Sequence, residues 1–297
     1  MAAALLSIDS GWSQSLLNEG PQASSQPAQA PPPVQADRRD PNLYGSQQRS
    51  SRSFTKKFAT NVFLDQKDIW TSPFRMNKSS AKWWVLAGVT TAALIAADHP
   101  VAQALPQTGT TVDFGTVASR LGQWYTVFPV AGAFYASGVA MHNEKLLKTG
   151  ALSLQALVGA EVVTNVLKVA ARRERPQEGD GGGHFGVGGT SFPSGHSSQA
   201  WALATVVAAE YGDHKWVPYA SYGYAALIST SRMLAQKHFS SDVFVGGALG
   251  FFVGRYVVRT DNAHRSHVNT GHSRLLSPTV LPSFSPFQKS VTVTWTN

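Results

Sequence analysis

Residues 191–209 read SFPSGHSSQAWALATVVAA, a turn of small residues running straight into an uncharged apolar stretch. Ser194 and Gly195 stand where a helix begins. The first N–H groups of a helix have no partner within it, so such a terminus binds anions. His196, on the first turn, can reach whatever those amides hold. Taken alone, the segment also fits an ordinary N-cap beside a surface histidine.

Two further clusters flank it. Upstream lies Lys168-VAARRE-Arg175-Pro176, where Lys168 ends an apolar segment and Pro176 disfavours helix at Arg175, so the chain turns out there. Downstream lies Ser231-Arg232-MLAQK-His238-FSS-Asp242. His238 and Asp242 are four apart and share a face if helical. An aspartate on one imidazole nitrogen fixes the tautomer and leaves the other nitrogen nucleophilic. Separately, the first cluster fits a solvated basic helix end and the second a capping aspartate. Together, three cations, an amide-rich helix start, two histidines and an orienting aspartate make an oxyanion site.

Apolar runs surround these clusters: 83–97, 121–141, 149–167, 197–209, 216–231 and 243–254. Ala, Gly, Leu and Val dominate them, as in tightly packed helices. The expected fold is all-α, a six-helix bundle integrated in a membrane. Strand alternation is weak until the tail, SVTVTWTN. A span needs about 20 apolar residues; 121–141 meets this cleanly, and the others need flanking groups such as Lys82 and Arg255 to snorkel. If the six helices alternate in direction, all three clusters fall at one end. With the N-terminus cytoplasmic, Lys67, Arg75, Lys78, Lys82, Lys145, Lys148, Lys215, Arg255 and Arg259 lie inside. The loop 98–120, outside, carries only Arg120, so the clusters face the non-cytoplasmic side.

The chain has 297 residues, 43% hydrophobic and only 14% charged, against roughly 25% charged in ordinary soluble domains. A mean hydropathy of −0.12 is too low for a protein embedded throughout. The organisation expected is a disordered Pro/Gln/Ser-rich segment 1–50, an amphipathic basic and aromatic segment 51–82, the helical bundle 83–260 and a polar C-terminal tail 261–297. The opening MAAALLSIDSGW lacks a basic n-region and does not read as a signal peptide. A net charge of +8 favours anionic partners. The absence of cysteine excludes disulfide frameworks, thiolate metal sites and cysteine nucleophiles.

The order Lys-x6-Arg-Pro, Pro-Ser-Gly-His, Ser-Arg-x5-His-x3-Asp resembles the three-part signature of the type 2 phosphatidic acid phosphatase superfamily, over about 83–258. That superfamily includes lipid phosphate phosphatases, class A acid phosphatases and vanadium haloperoxidases. The resemblance implies a helical-bundle phosphohydrolase. It implies that His238 attacks phosphorus and becomes a phosphohistidine, that Asp242 orients His238, and that His196 protonates the leaving oxygen and then activates water. Lys168, Arg175, Ser194, Gly195 and Arg232 would bind the phosphate. No metal and no cofactor is expected.

The expected partners are a phosphorylated lipid or other phosphoester and a membrane, with no nucleic acid. The location is expected to be a bacterial inner membrane with the site periplasmic. A soluble broad-specificity acid phosphatase is the main alternative; a haloperoxidase and a non-enzymatic polyanion binder are weaker ones. The stretch GDGGGHFGVGG, 179–189, reads equally as a mobile flap or a plain connector, with His184 a minor substrate contact. Arg172 and Arg173 read as head-group or solvent contacts, and Glu161 as either a packed polar contact or a substrate-path residue. His264, His267 and His272 read as tail rather than metal ligands.

Overall fold

The computed structural model describes residues 51–75, 78–274, 279–285 and 288–294. The expected segment 1–50 lies outside the described residues. Eight α-helices follow one another: α1 Ser51–Thr71, α2 Lys78–Ala104, α3 Gly109–Ser119, α4 Trp124–Ala140, α5 Glu144–Ala171, α6 Gly195–Glu210, α7 Trp216–Leu234 and α8 Ser240–Arg274. The six apolar runs are α2 and α4 to α8, so the bundle is all-α as expected.

Two elements differ from the sequence reading. The loop 98–120 contains a helix, α3, whose N-cap Thr108 accepts a hydrogen bond from the Thr111 amide. The last helix outruns the expected bundle end at 260: α8 continues to Arg274, and beyond it the alternating stretch forms β2 Gln288–Thr294, paired antiparallel with β1 Thr279–Ser285. Past its apolar run, α8 carries Asp261, which pairs with Lys148 of α5 at 3.2 Å; Lys148 also contacts Glu210 of α6 at 2.9 Å.

Small side chains let the helices approach closely. The core is built largely of alanine and valine, including Ala151, Ala156, Ala160, Ala202, Val206 and Val257. Along α8, Gly246, Gly250 and Gly254 form a stripe at four-residue spacing that meets α6 backbone at Ser194, Ser198 and Ala202. A Cβ at Gly250 would collide with the Ser198 carbonyl oxygen. This contact carries the α6 start onto the α8 start, where the Ser194 amide donates to the Asp242 carbonyl at 2.9 Å.

Three helical stretches are long and apolar enough to cross a membrane: Ala81–Ala104, Glu144–Ala171 and Ser240–Ala263. The first has only 11% of its most apolar stretch buried against the rest of the protein. Its Trp83, Trp84, Val85, Leu86 and Val89 are exposed.

Gly250→Val is expected to destabilise the bundle by about 3 kcal/mol, because the added side chain meets backbone rather than a movable side chain. Gly88→Ala, where nothing lies within 4 Å, serves as the control and should not lose stability. Detergent-solubilised thermal unfolding reads both; equal midpoints would contradict the close contact.

Candidate active site

The three clusters come together at one end of the bundle, because α5 and α7 end where α6 and α8 begin. Lys168 sits in the last turn of α5, and Arg172 caps that helix in the left-handed conformation, φ 48°. The following loop folds back on the helix end: the Gly186 amide bonds the Ala171 carbonyl, and the Ser191 amide bonds the Arg173 carbonyl at 2.8 Å. Gly189 permits this return, since a Cβ there would collide with the Arg173 carbonyl. Thr190 then lies beside both cations, its carbonyl accepting from Lys168 Nζ at 2.7 Å and its hydroxyl from Arg175 Nη2 at 3.3 Å.

The glycine-rich loop is therefore pinned rather than a free flap. Its Gly183 carbonyl accepts from Arg173 Nε at 3.0 Å, and its Gly181 carbonyl lies 3.0 Å from His99 Nδ1 on α2. His184 points outward, exposed and paired with Asp180 at 3.1 Å.

Lys168, Arg175, Gly195, His196, Arg232 and His238 line one cavity of about 410 Å³. Arg232 reaches it from the last turn of α7, held by Ser119 Oγ at the end of α3, 3.0 Å from its Nη1. The helix that the sequence reading missed thus fixes one of the three cations. Ser194 is the N-cap residue of α6 but makes no side-chain cap bond. Its hydroxyl, His196 Nε2, Arg175 Nε and Arg232 Nε are all buried without a hydrogen-bond partner. Unpartnered buried polar atoms are costly, and three of them on cavity-lining residues, with the Ser194 hydroxyl beside Gly195, argue against an ordinary N-cap.

The imidazole of His238 is buried, and its orienting contact differs from the sequence expectation. Its Nδ1 lies 2.8 Å from the Ser191 carbonyl, which accepts the proton and so fixes the tautomer with Nε2 unprotonated. Asp242 stands 3.7 Å from Nδ1, too far to be the direct partner. It holds the frame instead: its carboxylate accepts from Ser191 Oγ at 2.6 Å and from the Phe239 amide at 2.9 Å. Burial pushes His238 down to about 4, opposed in part by Asp242. Burial, then the charge of Arg232, pushes His196 down to about 3. Both imidazoles are thus held well below neutrality and are neutral near pH 7.

Arg173 corrects the sequence reading most sharply. It is not a solvent contact: its side chain is 1% exposed, clamped between Asp98 of α2 at 2.8 Å and Asp242 at 2.7 Å. The guanidinium also donates to Ser241 Oγ at 2.7 Å and stacks between the Phe185 and Phe239 rings. Asp98 in turn accepts from the Ser240 hydroxyl and the Ser241 amide. Arg172, its neighbour, is exposed. Only the lack of charge around Asp98 in an apolar run could have flagged it from sequence.

Arg173→Ala leaves two buried carboxylates facing each other without a cation. The expected loss is about 3–5 kcal/mol of stability, read as a large fall in the unfolding midpoint. A midpoint matching the wild type would contradict the buried network.

Residues 150–266 match the PAP2 superfamily. A lipid A 1-phosphatase of Porphyromonas gingivalis is 37% identical over 111 residues, 37% of this chain. The match spans only 22% of that protein's length. Two solved structures are similar: a transmembrane PAP2-type phosphatidylglycerolphosphate phosphatase from Bacillus subtilis (21% identity, TM-score 0.45, 69% of this chain and 96% of that one) and LpxE from Aquifex aeolicus (25% identity, TM-score 0.38, 52% and 88%). All three clusters, from Lys168 to Asp242, fall inside the segment 150–266 that matches the PAP2 superfamily.

Proposed function

We propose that this protein is a membrane phosphatase that hydrolyses a phosphomonoester or pyrophosphate, of a lipid, through a phosphohistidine and without a metal. The observation that carries the reading is the set of orphaned buried polar atoms on Arg175, His196 and Arg232, which line a cavity with three cations and two imidazoles, and on Ser194, the neighbour in sequence of cavity-lining Gly195. A phosphoryl group supplies the missing acceptors. Lys168, Arg175 and Arg232 neutralise its oxygens, and the Ser194 hydroxyl and Gly195 amide donate to them. Such charge stabilisation and positioning are what phosphoryl transfer chiefly needs.

His238 Nε2 attacks phosphorus while Nδ1–H donates to the Ser191 carbonyl, so the charge that develops on the ring is met by that carbonyl and by Asp242. The N–P bond forms as the P–O bond to the leaving group breaks, and His196 gives its proton to the departing oxygen. His196 then takes a proton from water, which attacks phosphorus and releases phosphate and His238. Burial and the charge of Arg232 hold His196 down to about 3, so on its own it carries no proton to give near pH 7. The bound phosphoryl charge raises it, so binding draws a proton from solution.

The exposed apolar face of α2 and the three long apolar stretches support a bilayer as the surroundings. The site end is the non-cytoplasmic one, because Lys82, Lys145, Lys148 and Arg255 crowd the other end. The lipid partner follows from this placement; a bacterial inner membrane with the site in the periplasm is the setting proposed.

The decisive test is phosphate release by the detergent-purified protein from phosphatidate, phosphatidylglycerol phosphate and undecaprenyl diphosphate, with EDTA throughout. Undiminished release is expected; loss of activity restored by Mg²⁺ would overturn the metal-free reading. Recovery of native protein without detergent would favour the soluble acid phosphatase instead. Proton linkage gives a pH test. His196 is raised on binding, so oxyanion affinity is greatest at lower pH and falls as pH rises through the bound-state value. Calorimetry with tungstate, a dianion near neutrality, in buffers of different ionisation enthalpy should show net proton uptake that His196→Gln abolishes. Equal uptake in that variant would place the proton elsewhere.

A further inference from the structure

The first helix packs the wrong way round for an amphipathic helix lying in water. The stretch Ser51–Thr71 holds two acidic residues, Asp65 and Asp68, and both turn to the bundle. Asp65 is buried and accepts from Gln155 Nε2 of α5, and Asp68 accepts from the Tyr256 hydroxyl of α8 at 2.8 Å. Between them in the chain, Gln66 donates to the Gly159 carbonyl at 3.2 Å. Buried Asn61 stands one turn before Asp65 on the same face.

The outward face has the opposite chemistry. Lys56, Phe63, Lys67 and Trp70 are all exposed, and their spacing makes a single stripe along the helix. Phe63 is 70% exposed, and Phe74, just past the helix, 89%. The same sorting holds on α8. Its two acidic residues, Asp242 and Asp261, are buried, whereas Arg255 and Arg259 are exposed. Tyr256, which holds α1, sits next to Arg255 in the chain, where the apolar run of α8 ends. Along the helix axis that point is about 20 Å from Asp242. Lys82, Trp83 and Trp84, exposed on α2, lie a similar distance before Asp98, about 24 Å.

Water would leave the rings of the stripe unburied, and hydrocarbon would strip its ammonium groups of partners. The headgroup level suits both, with rings at the acyl boundary and lysine stems reaching to the phosphates. Because the acids of α1 and α8 are engaged with the bundle, the outward charge is of one sign and complements an anionic headgroup. We propose that Lys56, Lys67, Arg255 and Arg259, with the Phe63 and Trp70 rings, form a binding surface for anionic phospholipid headgroups on the membrane face opposite the active site. Its ligand is a phosphodiester lipid, held and not hydrolysed. The inference rests on the bilayer reading of this protein and not on the phosphatase chemistry.

The test uses the full chain in neutral-detergent micelles at low salt, with the active site saturated by tungstate. Fluorescent phosphatidylglycerol and phosphatidylcholine with the same acyl chains are titrated in turn. One cation at an anionic surface is worth roughly fivefold in affinity, so the wild type should prefer phosphatidylglycerol by about twentyfold or more. Raising NaCl to about 0.5 M should remove most of that preference. Lys56→Gln with Lys67→Gln should lower it at least fivefold, and adding Arg255→Gln and Arg259→Gln should erase it, with tungstate affinity and unfolding midpoint unchanged. Lys67→Arg should retain it. An intact preference in the fourfold variant would overturn the surface and leave the membrane reading standing. A dimer of the wild type that becomes a monomer in that variant, with the preference intact, would also overturn it and assign the stripe to a second copy. Native protein recovered without detergent that binds neither lipid would overturn the bilayer reading and the surface with it.

Discussion

The buried guanidinium of Arg173 holds the site end of the molecule in register. Taking one cation and two carboxylates out of water costs several kcal/mol per ion. The cost is offset only if nearly every polar atom is engaged, and here it is. Arg173 spans Asp98, Asp242, Ser241 and the Gly183 carbonyl. Asp98 adds the Ser240 hydroxyl and the Ser241 amide, and Asp242 adds Ser191 and the Phe239 amide. The network ties α2, the glycine-rich loop, the segment before α6 and the start of α8 into one unit. His238 is positioned by that unit: its carbonyl partner belongs to Ser191, whose own hydroxyl is held by Asp242.

A second constraint acts from the apolar side. The glycine stripe 246, 250, 254 removes side chains from α8 so that the α6 backbone can lie against it. Ser197 confirms the fit with polar contacts, reaching the Val243 carbonyl at 2.9 Å and Ser229 of α7 at 2.6 Å. Charge and close packing thus converge on the same few residues at the α6 and α8 starts. Among the residues lining the cavity, Arg175 and Arg232 each keep a buried Nε, and His196 its Nε2, without a hydrogen-bond partner.

Much of this was legible in the sequence. Long uncharged runs rich in small residues can only be buried or lipid-facing helices, so six helices could be placed before any coordinates. Alternating direction then put Lys168, His196, Arg232 and His238 at one end, and they do line one cavity. The helix α3 was hidden because GTTVDFGTVAS is short, carries Asp113, and is set by a threonine cap rather than by an apolar run. Arg173 was hidden because its partners Asp98 and Asp242 lie far away in the chain on either side, and nothing local separates it from exposed Arg172. The Asp242–His238 spacing suggested a direct contact, yet the first turn of α8 directs the carboxylate to Ser191 and Arg173, and a backbone carbonyl takes the imidazole proton. Backbone acceptors leave no mark in a sequence.

The central claim is that His238 carries the phosphoryl group. Acid-labile, base-stable label should be trapped when the purified protein is mixed with substrate labelled in its phosphate and quenched in alkali within the first turnovers. Peptide mapping should place that label on His238, with greater accumulation in His196→Ala when the leaving group needs no protonation. Label on His196, or continued turnover by His238→Ala at more than a few per cent of the wild-type rate, would contradict the account.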